Sequence, residues 1–325
     1  MAAQEINDLD LRAFAQFVEW AYAKPEHPLI VVKSHWSYNA ELPMDLRNKL
    51  TKDYFPLAAG SGGTSIIKTR LEDAGTTYDV VLKCAFAEKN PVKVAKMLAQ
   101  EIKIWRLLKH PNVVPFLGIS MGHWVDSMFM DESFDSQVPA LVSLYCDQGT
   151  ITSYLAENQG TLRMPLIMDV AAAVEYLHSN NIVHGDVKPG NILIKSLENG
   201  VCAAITDFGC SRIIGDDSFE KVDVLSHRYA APEMESCMDE THYFTTAADV
   251  FSFAVTALEV ITGKAAFGDG SPEMAALHFL EGRRPQRADH PAQEMTDGLW
   301  TLLEECWSKE ASSRPTISDI IARLA

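Results

Sequence analysis

The stretch "IVHGDVKPGNILI", residues 182–194, sets two apolar runs around a polar loop that carries His184, Asp186, Lys188 and Asn191. Asn191 follows Asp186 by five positions, and "TDFGC" brings a second carboxylate, Asp207, after another apolar run. A carboxylate and an amide joined by a carboxylate from a neighbouring turn form a hard oxygen set, which suits Mg²⁺ ions that keep waters and phosphate oxygens as their other ligands. Asp186 could then take or orient a hydroxyl proton, a task worth about 10² to 10⁴ in rate. Lys188 would add positive charge beside a transferring phosphate. A lone H-x-D is an ordinary polar turn, so the reading depends on what the rest of the chain supplies.

Composition narrows the possibilities. The chain has 325 residues, 47% of them hydrophobic, enough for one large domain or two lobes. Its formal net charge of -16 argues against a nucleic-acid partner, which would need an excess of Lys and Arg to displace counterions. Cys84, Cys146, Cys202, Cys210, Cys237 and Cys306 are scattered without a C-x-x-C pair, and predict reduced thiols in a cytosolic (cytoplasmic) protein. The N-terminus lacks the order of a signal peptide, and "DVFSFAVTALEVITG", residues 249–263, is too short to span a bilayer, so no membrane segment is expected.

Residues 7–23 place Leu11, Phe14, Val18 and Ala21 on one helical face and predict an amphipathic helix, with its apolar face on the chain's own small lobe. Residues 1–52 read as an N-terminal extension, and a new domain is expected from Asp53. The text is strand-rich to about residue 145 and mostly helical from about 146 to 325, which predicts a small β-rich lobe, a larger α-rich lobe and a ligand cleft between them. Residues 121–139 read as a long surface hairpin loop.

Two features of the strand-rich part point to a ligand. After Asn90 and Pro91 a helix is expected through His110, with Val94, Met97, Leu98, Ile104, Trp105 and Leu108 as its apolar stripe and Glu101 inside it. A carboxylate there needs a cation. The preceding strand, "DVVLKCAF", offers Lys83, which alternation puts on one face with Val81 and Ala85, opposite Val80, Leu82, Cys84 and Phe86. Before that strand, "GSGGTSII" places Gly60, Gly62 and Gly63 in a turn where backbone N–H groups could approach a phosphate. Ser65 stands at the third glycine of a G-x-G-x-x-G pattern, and the following residues look like strands, which excludes the dinucleotide-binding reading.

In this order the motifs resemble a eukaryotic-type protein kinase domain, from about Pro56 to the C-terminus. The resemblance implies an α+β, two-lobed protein kinase-like fold, with a small β-rich N-lobe holding one regulatory helix and a mostly α-helical C-lobe. It implies ATP and Mg²⁺ as cofactors and a protein substrate. "VVLK" makes Lys83 the holder of the α- and β-phosphates, paired with Glu101. "HGDVKPGN" makes Asp186 the catalytic base, Lys188 a phosphate contact and Asn191 a metal ligand. "DFG" makes Asp207 the principal metal ligand, with Phe208 packed behind it. Gly60, Ser61, Gly62, Gly63, Ile67, Val81, Lys83, Ser143 as gatekeeper, Leu144 and Cys146 in the hinge, and Leu193 are then expected around the nucleotide. "APE" supplies Glu233 for a late arginine, Arg314, and Asp249 should tie a buried helix to the catalytic loop, with Ala254 at that helix's usual glycine.

Lys188 resembles the loop of Ser/Thr-specific kinases, and "ALVSLYCDQGTITSYL" and "ECWSKEASSRPTISDI" resemble the tyrosine-kinase-like group of Ser/Thr kinases. Two rivals share motifs with this reading. A pseudokinase scaffold would keep the fold without transfer, although every residue the chemistry requires is present. Small-molecule phosphotransferases often carry "HGD" and "GN", but not usually the segment ending in Ala-Pro-Glu, on which Ser226 is expected to contact the catalytic loop. Gly185 stands where most related kinases have an arginine that pairs with a phosphate on that segment, so the expected enzyme is of the non-RD type. Activity independent of such a phosphate is the consequence; a large loss in Ser218→Ala, restored by Ser218→Asp, would count against it. Ser211 and Ser226 are the other candidate sites on the segment.

Overall fold

In the computed structural model, which describes residues 46, 48–60, 64–85, 91–120, 140–216, 226–236 and 244–324, the chain divides into two compact units. The first runs up to Leu107 and includes Pro115–Tyr145; the second is Leu108–Val114 with Cys146 onward. The expected helix at 7–23, the loop at 121–139, and Ser61, Gly62, Gly63, Phe86, Asn90, Ser218 and Cys237 lie outside the described residues.

The first unit is built on strands β1 (Phe55–Gly60), β2 (Thr64–Asp73), β3 (Thr76–Ala85), β4 (Phe116–Ser120) and β5 (Ala140–Leu144), with helix α1 (Pro91–Trp105). The strands form one antiparallel sheet in the order β1-β2-β3-β5-β4. Alternation in β3 is as the sequence predicts: Val80, Leu82 and Cys84 are fully buried, and Val81, Lys83 and Ala85 are half-buried. Ile67, Leu71, Ala140 and Val142 complete the core on that face. Each large aliphatic side chain buried there contributes about 1.5 to 3 kcal/mol.

Leu46 joins the same core, its N–H donating to the Ile119 carbonyl (2.8 Å). Leu50 bridges to Leu71, Thr51 N–H donates to Arg70 O (2.9 Å), and Glu72 N–H donates to Lys49 O (2.8 Å). The packing of this unit therefore reaches back beyond the expected start at Asp53.

Helix α1 stops at Trp105, five residues before the His110 that periodicity suggested. Its last turn tightens through Leu107 N–H to Ile104 O (2.9 Å). The following residues are taken by the second unit, where Val114 N–H donates to Ile205 O (2.9 Å) and Ile205 N–H to Asn112 O (2.8 Å). Tertiary pairing overrides the helical pattern, and Leu108 is buried there outside any helix.

The second unit contains α2 (Ile151–Glu157), α3 (Met164–Ser179), β6 (Ile182–Val183), β7 (Ile192–Leu197), β8 (Gly200–Ile205), β9 (Arg212–Ile213), α4 (Pro232–Ser236), α5 (Thr246–Thr262), α6 (Pro272–Leu280), α7 (Asp297–Cys306) and α8 (Ile317–Leu324). Its strands make two small antiparallel pairs, β6 with β9 and β7 with β8. Helix α5 is buried on nearly every side, so it is a core helix and not an amphipathic one. Thr245 caps its start by accepting from Ala248 N–H (3.1 Å), and Gly263, at φ 71, ends it. Arg163 donates to the terminal carbonyls of Val260 and Ile261 (2.8 and 3.0 Å), while Glu294 accepts from the first N–H groups of α3 at Arg163 and Met164 (3.0 and 2.9 Å). No described helix is long and apolar enough to cross a membrane.

Candidate active site

In the first unit, Lys83 Nζ lies 2.8 and 3.1 Å from the two Glu101 oxygens. Glu101 is 4% exposed on a stripe with Leu98, Ile102 and Trp105, so its charge is offset inside the protein. Met97, expected in that stripe, is 47% exposed and lies off it.

Strand register decides what shares a face with Lys83. Val81 pairs with Ser143 across β3 and β5, and Lys83 pairs with Leu141, so Val81 and the buried Ser143 are on the lysine's face. Leu144 pairs with Val80 and belongs to the other face. Ile67, expected beside the nucleotide, is opposite Leu82 and buried in the core; Ile66 is the residue opposite Lys83. A period of two lets only one of two adjacent isoleucines share the lysine's face, and the β2–β3 pairing selects Ile66. Gly60 closes β1 and pairs with Thr64, so the glycine-rich segment joins two antiparallel strands.

In the second unit, the opening stretch is a loop with a short 3₁₀ turn, Pro189–Asn191, between β6 and β7. Asp186 Oδ2 accepts from Lys188 Nζ (2.6 Å) and from Asn191 Nδ2 (2.9 Å). Lys188 Nζ also reaches Ser226 Oγ (2.7 Å). The β7–β8 pair sets Ile192 opposite Ile205, so Asn191 and Asp207 leave the same end of the hairpin, and Thr206 N–H donates to Asn191 O (2.9 Å). Asp207 adopts φ 68, a conformation uncommon outside Gly, Asn and Asp.

His184 is fully buried. Its Nδ1 accepts from Asp186 N–H (3.2 Å), which leaves Nε2–H to donate to Thr206 O (3.2 Å), and its ring packs on Phe208 at 5.3 Å. Burial holds its pKa below the usual imidazole value, against the opposing pull of Asp249, Asp186 and Asp207. His184 is thus a neutral structural residue. Ser211, considered as a phosphorylation site, is 1% exposed and donates to His184 O (2.8 Å), which makes it part of the same framework.

Helix α5 grips the loop with a polar stripe at i, i+3, i+7 and i+10. Asp249 accepts from His184 N–H (2.8 Å), Gly185 N–H (2.9 Å) and His178 Nε2 (2.9 Å). Ser252 donates to Tyr229 O (2.8 Å), Thr256 to Val187 O (3.1 Å), and Glu259 accepts from the Tyr229 hydroxyl (2.8 Å). Sequence reasoning missed His178, Ser252, Thr256 and Glu259. The signal was present as hydrogen-bonding residues at helical spacing in an otherwise apolar helix.

Arg314, whose side chain has no exposure, meets Glu233 in a two-pronged pair (2.6 and 2.8 Å). Cys146 is buried and Leu193 half-buried in this unit. Burial pushes the Cys146 thiol up to about 11 and the Cys210 thiol up to about 12, the latter helped by Asp186 and Asp207.

The family model for protein tyrosine and serine/threonine kinases matches residues 56–324. The chain belongs to this kinase family. The kinase domain is 27% identical over 253 residues to serine/threonine-protein kinase STY17 of Arabidopsis thaliana, covering 76% of this chain and 40% of that protein. Serine/threonine-protein kinase 12 of the same plant is 31% identical over 234 residues (69% and 46%), and serine/threonine/tyrosine-protein kinase HT1 is 28% identical over 242 residues (73% and 56%). The chain therefore spans about half the length of these relatives.

The kinase residues fit a divalent metal. Both hydrogen bonds of the Asn191 amide to Asp186 use Nδ2, which leaves Oδ1 as the donor atom for a cation. No group of three His, Cys, Asp or Glu side chains placed for a metal occurs among the described residues. An amide oxygen joined by a carboxylate, phosphate and water suits a hard divalent cation.

Proposed function

We propose that this chain is an ATP-dependent protein kinase that transfers the γ-phosphate to Ser/Thr hydroxyls of protein substrates. The observation that carries the reading is that Asp186 Oδ2 accepts from both Asn191 Nδ2 and Lys188 Nζ, the latter also donating to Ser226 Oγ. These contacts hold one carboxylate oxygen and leave Oδ1 to orient and receive the hydroxyl proton. Lys188 stands beside that oxygen as the positive charge for the transferring phosphoryl group. Within the first unit, Lys83, fixed by Glu101, would hold the α- and β-phosphates, and Val81, Ser143 and Ile66 on its face, with the Leu144 backbone, would contact the adenine and ribose. Asn191 and Asp207 would hold Mg²⁺, which when bound neutralises charge on the phosphates.

The Glu233–Arg314 pair and the Lys188–Ser226 contact support a protein substrate over a small alcohol or amine, because they build the platform after the Asp-Phe-Gly turn. The intact set of reacting residues favours an enzyme over a scaffold. A reducing compartment, the cytosol, suits the five described cysteines, all free thiols. The test is incubation with Mg-ATP and a generic basic protein. Transfer to Ser and Thr is expected, falling about 10²- to 10⁴-fold in Asp186→Asn. No transfer by the wild type, or equal transfer by Asp186→Asn, overturns the reading.

A further inference from the structure

We infer that Phe244 is a positioning residue for the catalytic loop, its ring occupying the space that Gly185 leaves by having no Cβ. The inference rests on the kinase reading above and concerns how Asp186 is held. Gly185 has φ +78, and a Cβ built there would lie 2.7 Å from the Cys210 carbonyl oxygen and 2.8 and 2.9 Å from Cε1 and Cδ1 of Phe244. Such distances are well inside van der Waals contact, so Gly185 is wedged between a fixed carbonyl and an aromatic ring.

The ring's location gives it leverage. Phe244 immediately precedes Thr245, the cap of α5, and Asp249 in the first turn of that helix holds the His184 and Gly185 N–H groups. The helix start therefore holds the His184 and Gly185 N–H groups by hydrogen bonds, and Gly185 a second time by ring packing. The Arg212 guanidinium lies 4.9 Å from the Phe244 ring centroid, a cation–π contact. Arg212 is in β9, which pairs with Val183 of β6 just before the loop, and Ser211 next to it donates to His184 O. One ring thus joins the catalytic loop, the backbone after the Asp-Phe-Gly turn and the central helix. Packing against Phe244 and the Arg212 contact to that ring hold the loop here.

Four proteins test this: the wild type, Phe244→Ala, Gly185→Ala and the double variant, each read for kcat, KM for Mg-ATP and thermal midpoint, with Phe244→Tyr as the ring-keeping control. Phe244→Ala is expected to lower kcat about tenfold to a hundredfold, the size of a small misplacement of a reacting group, with KM for ATP little changed. Phe244→Tyr should restore most of kcat. Gly185→Ala should damage the wild type more than it damages Phe244→Ala, because the ring it strikes is then gone. The inference is overturned if Phe244→Ala keeps wild-type kcat, if its loss only tracks the unfolded fraction, or if Gly185→Ala costs the same in both backgrounds. No transfer by the wild type overturns the kinase reading and the catalytic role with it, while the thermal midpoints still report the packing between the two positions separately.

Discussion

Glu101 sits among Leu98, Ile102 and Trp105, and that placement was legible because a carboxylate in an apolar stripe has to find a cation. Which isoleucine accompanies Lys83 was not legible. Ile66 and Ile67 satisfy either register equally well as text, and only hydrogen bonding to β3 tells them apart. The thiols carry a prediction at the same scale. Cys210 lies beside Asp186 and Asp207, and burial raises its thiol and that of Cys146 well above neutral pH, to about 12 and about 11. The thiolate is the species that alkylates, so at pH 7.5 both are expected to resist iodoacetamide in the folded protein. Peptide mass spectrometry after labelling, with and without denaturant, checks this. Rapid modification of Cys210 in the native state would show its thiol to be accessible and its pKa not raised.

At the scale of elements, strand β3 and the start of α1 at Pro91 followed from alternation and punctuation, while the short strands β6 to β9 in the mostly helical part and the end of α1 did not. Leu108 continues the apolar spacing of the helix before it, but the fate of residues 106–110 was decided by Asn112 and Val114 pairing with Ile205 nearly a hundred positions away. Long-range pairings of this kind leave no trace in a local window. The link between α4 and the segment before α8 was legible from the Ala-Pro-Glu triplet and the late arginine, and it now has an energetic consequence. Arg314 is wholly buried against a partly buried Glu233 and also donates to the carbonyls of Ser308 and Ala247. Arg314→Met strands that carboxylate and those carbonyls, and is expected to cost about 3 to 5 kcal/mol. Chemical denaturation of the variant against the wild type measures it; a cost below about 1 kcal/mol would show the pair to behave like an exposed surface bridge.

For the whole molecule, buried histidines set the acid limit. His184 is fully buried, His290 is buried beside Thr262, and His110 stacks on Tyr176; burial lowers the pKa of all three. Each takes up a proton less readily when folded than when unfolded. The unfolded chain therefore binds more protons below about pH 6.5, and stability falls as pH drops through that value, by up to about 1.4 kcal/mol per pH unit for His184 alone. The thermal midpoint should hold between pH 7 and 8 and decline from about 6.5 to 5.5, before most carboxylates protonate. A midpoint unchanged across that lower range would rule the histidines out as the cause.

The segment at Leu46 to Thr51 carries a mechanical consequence. Its bonds to Ile119, Arg70 and Glu72 attach it to β4 and β2 directly, with Leu46 as an anchor in the sheet's core. A pull on the chain ahead of Leu46 is therefore delivered to the strands themselves, without slack to absorb it. Tension on that side would load the sheet bearing Lys83 as a lever loads its hinge.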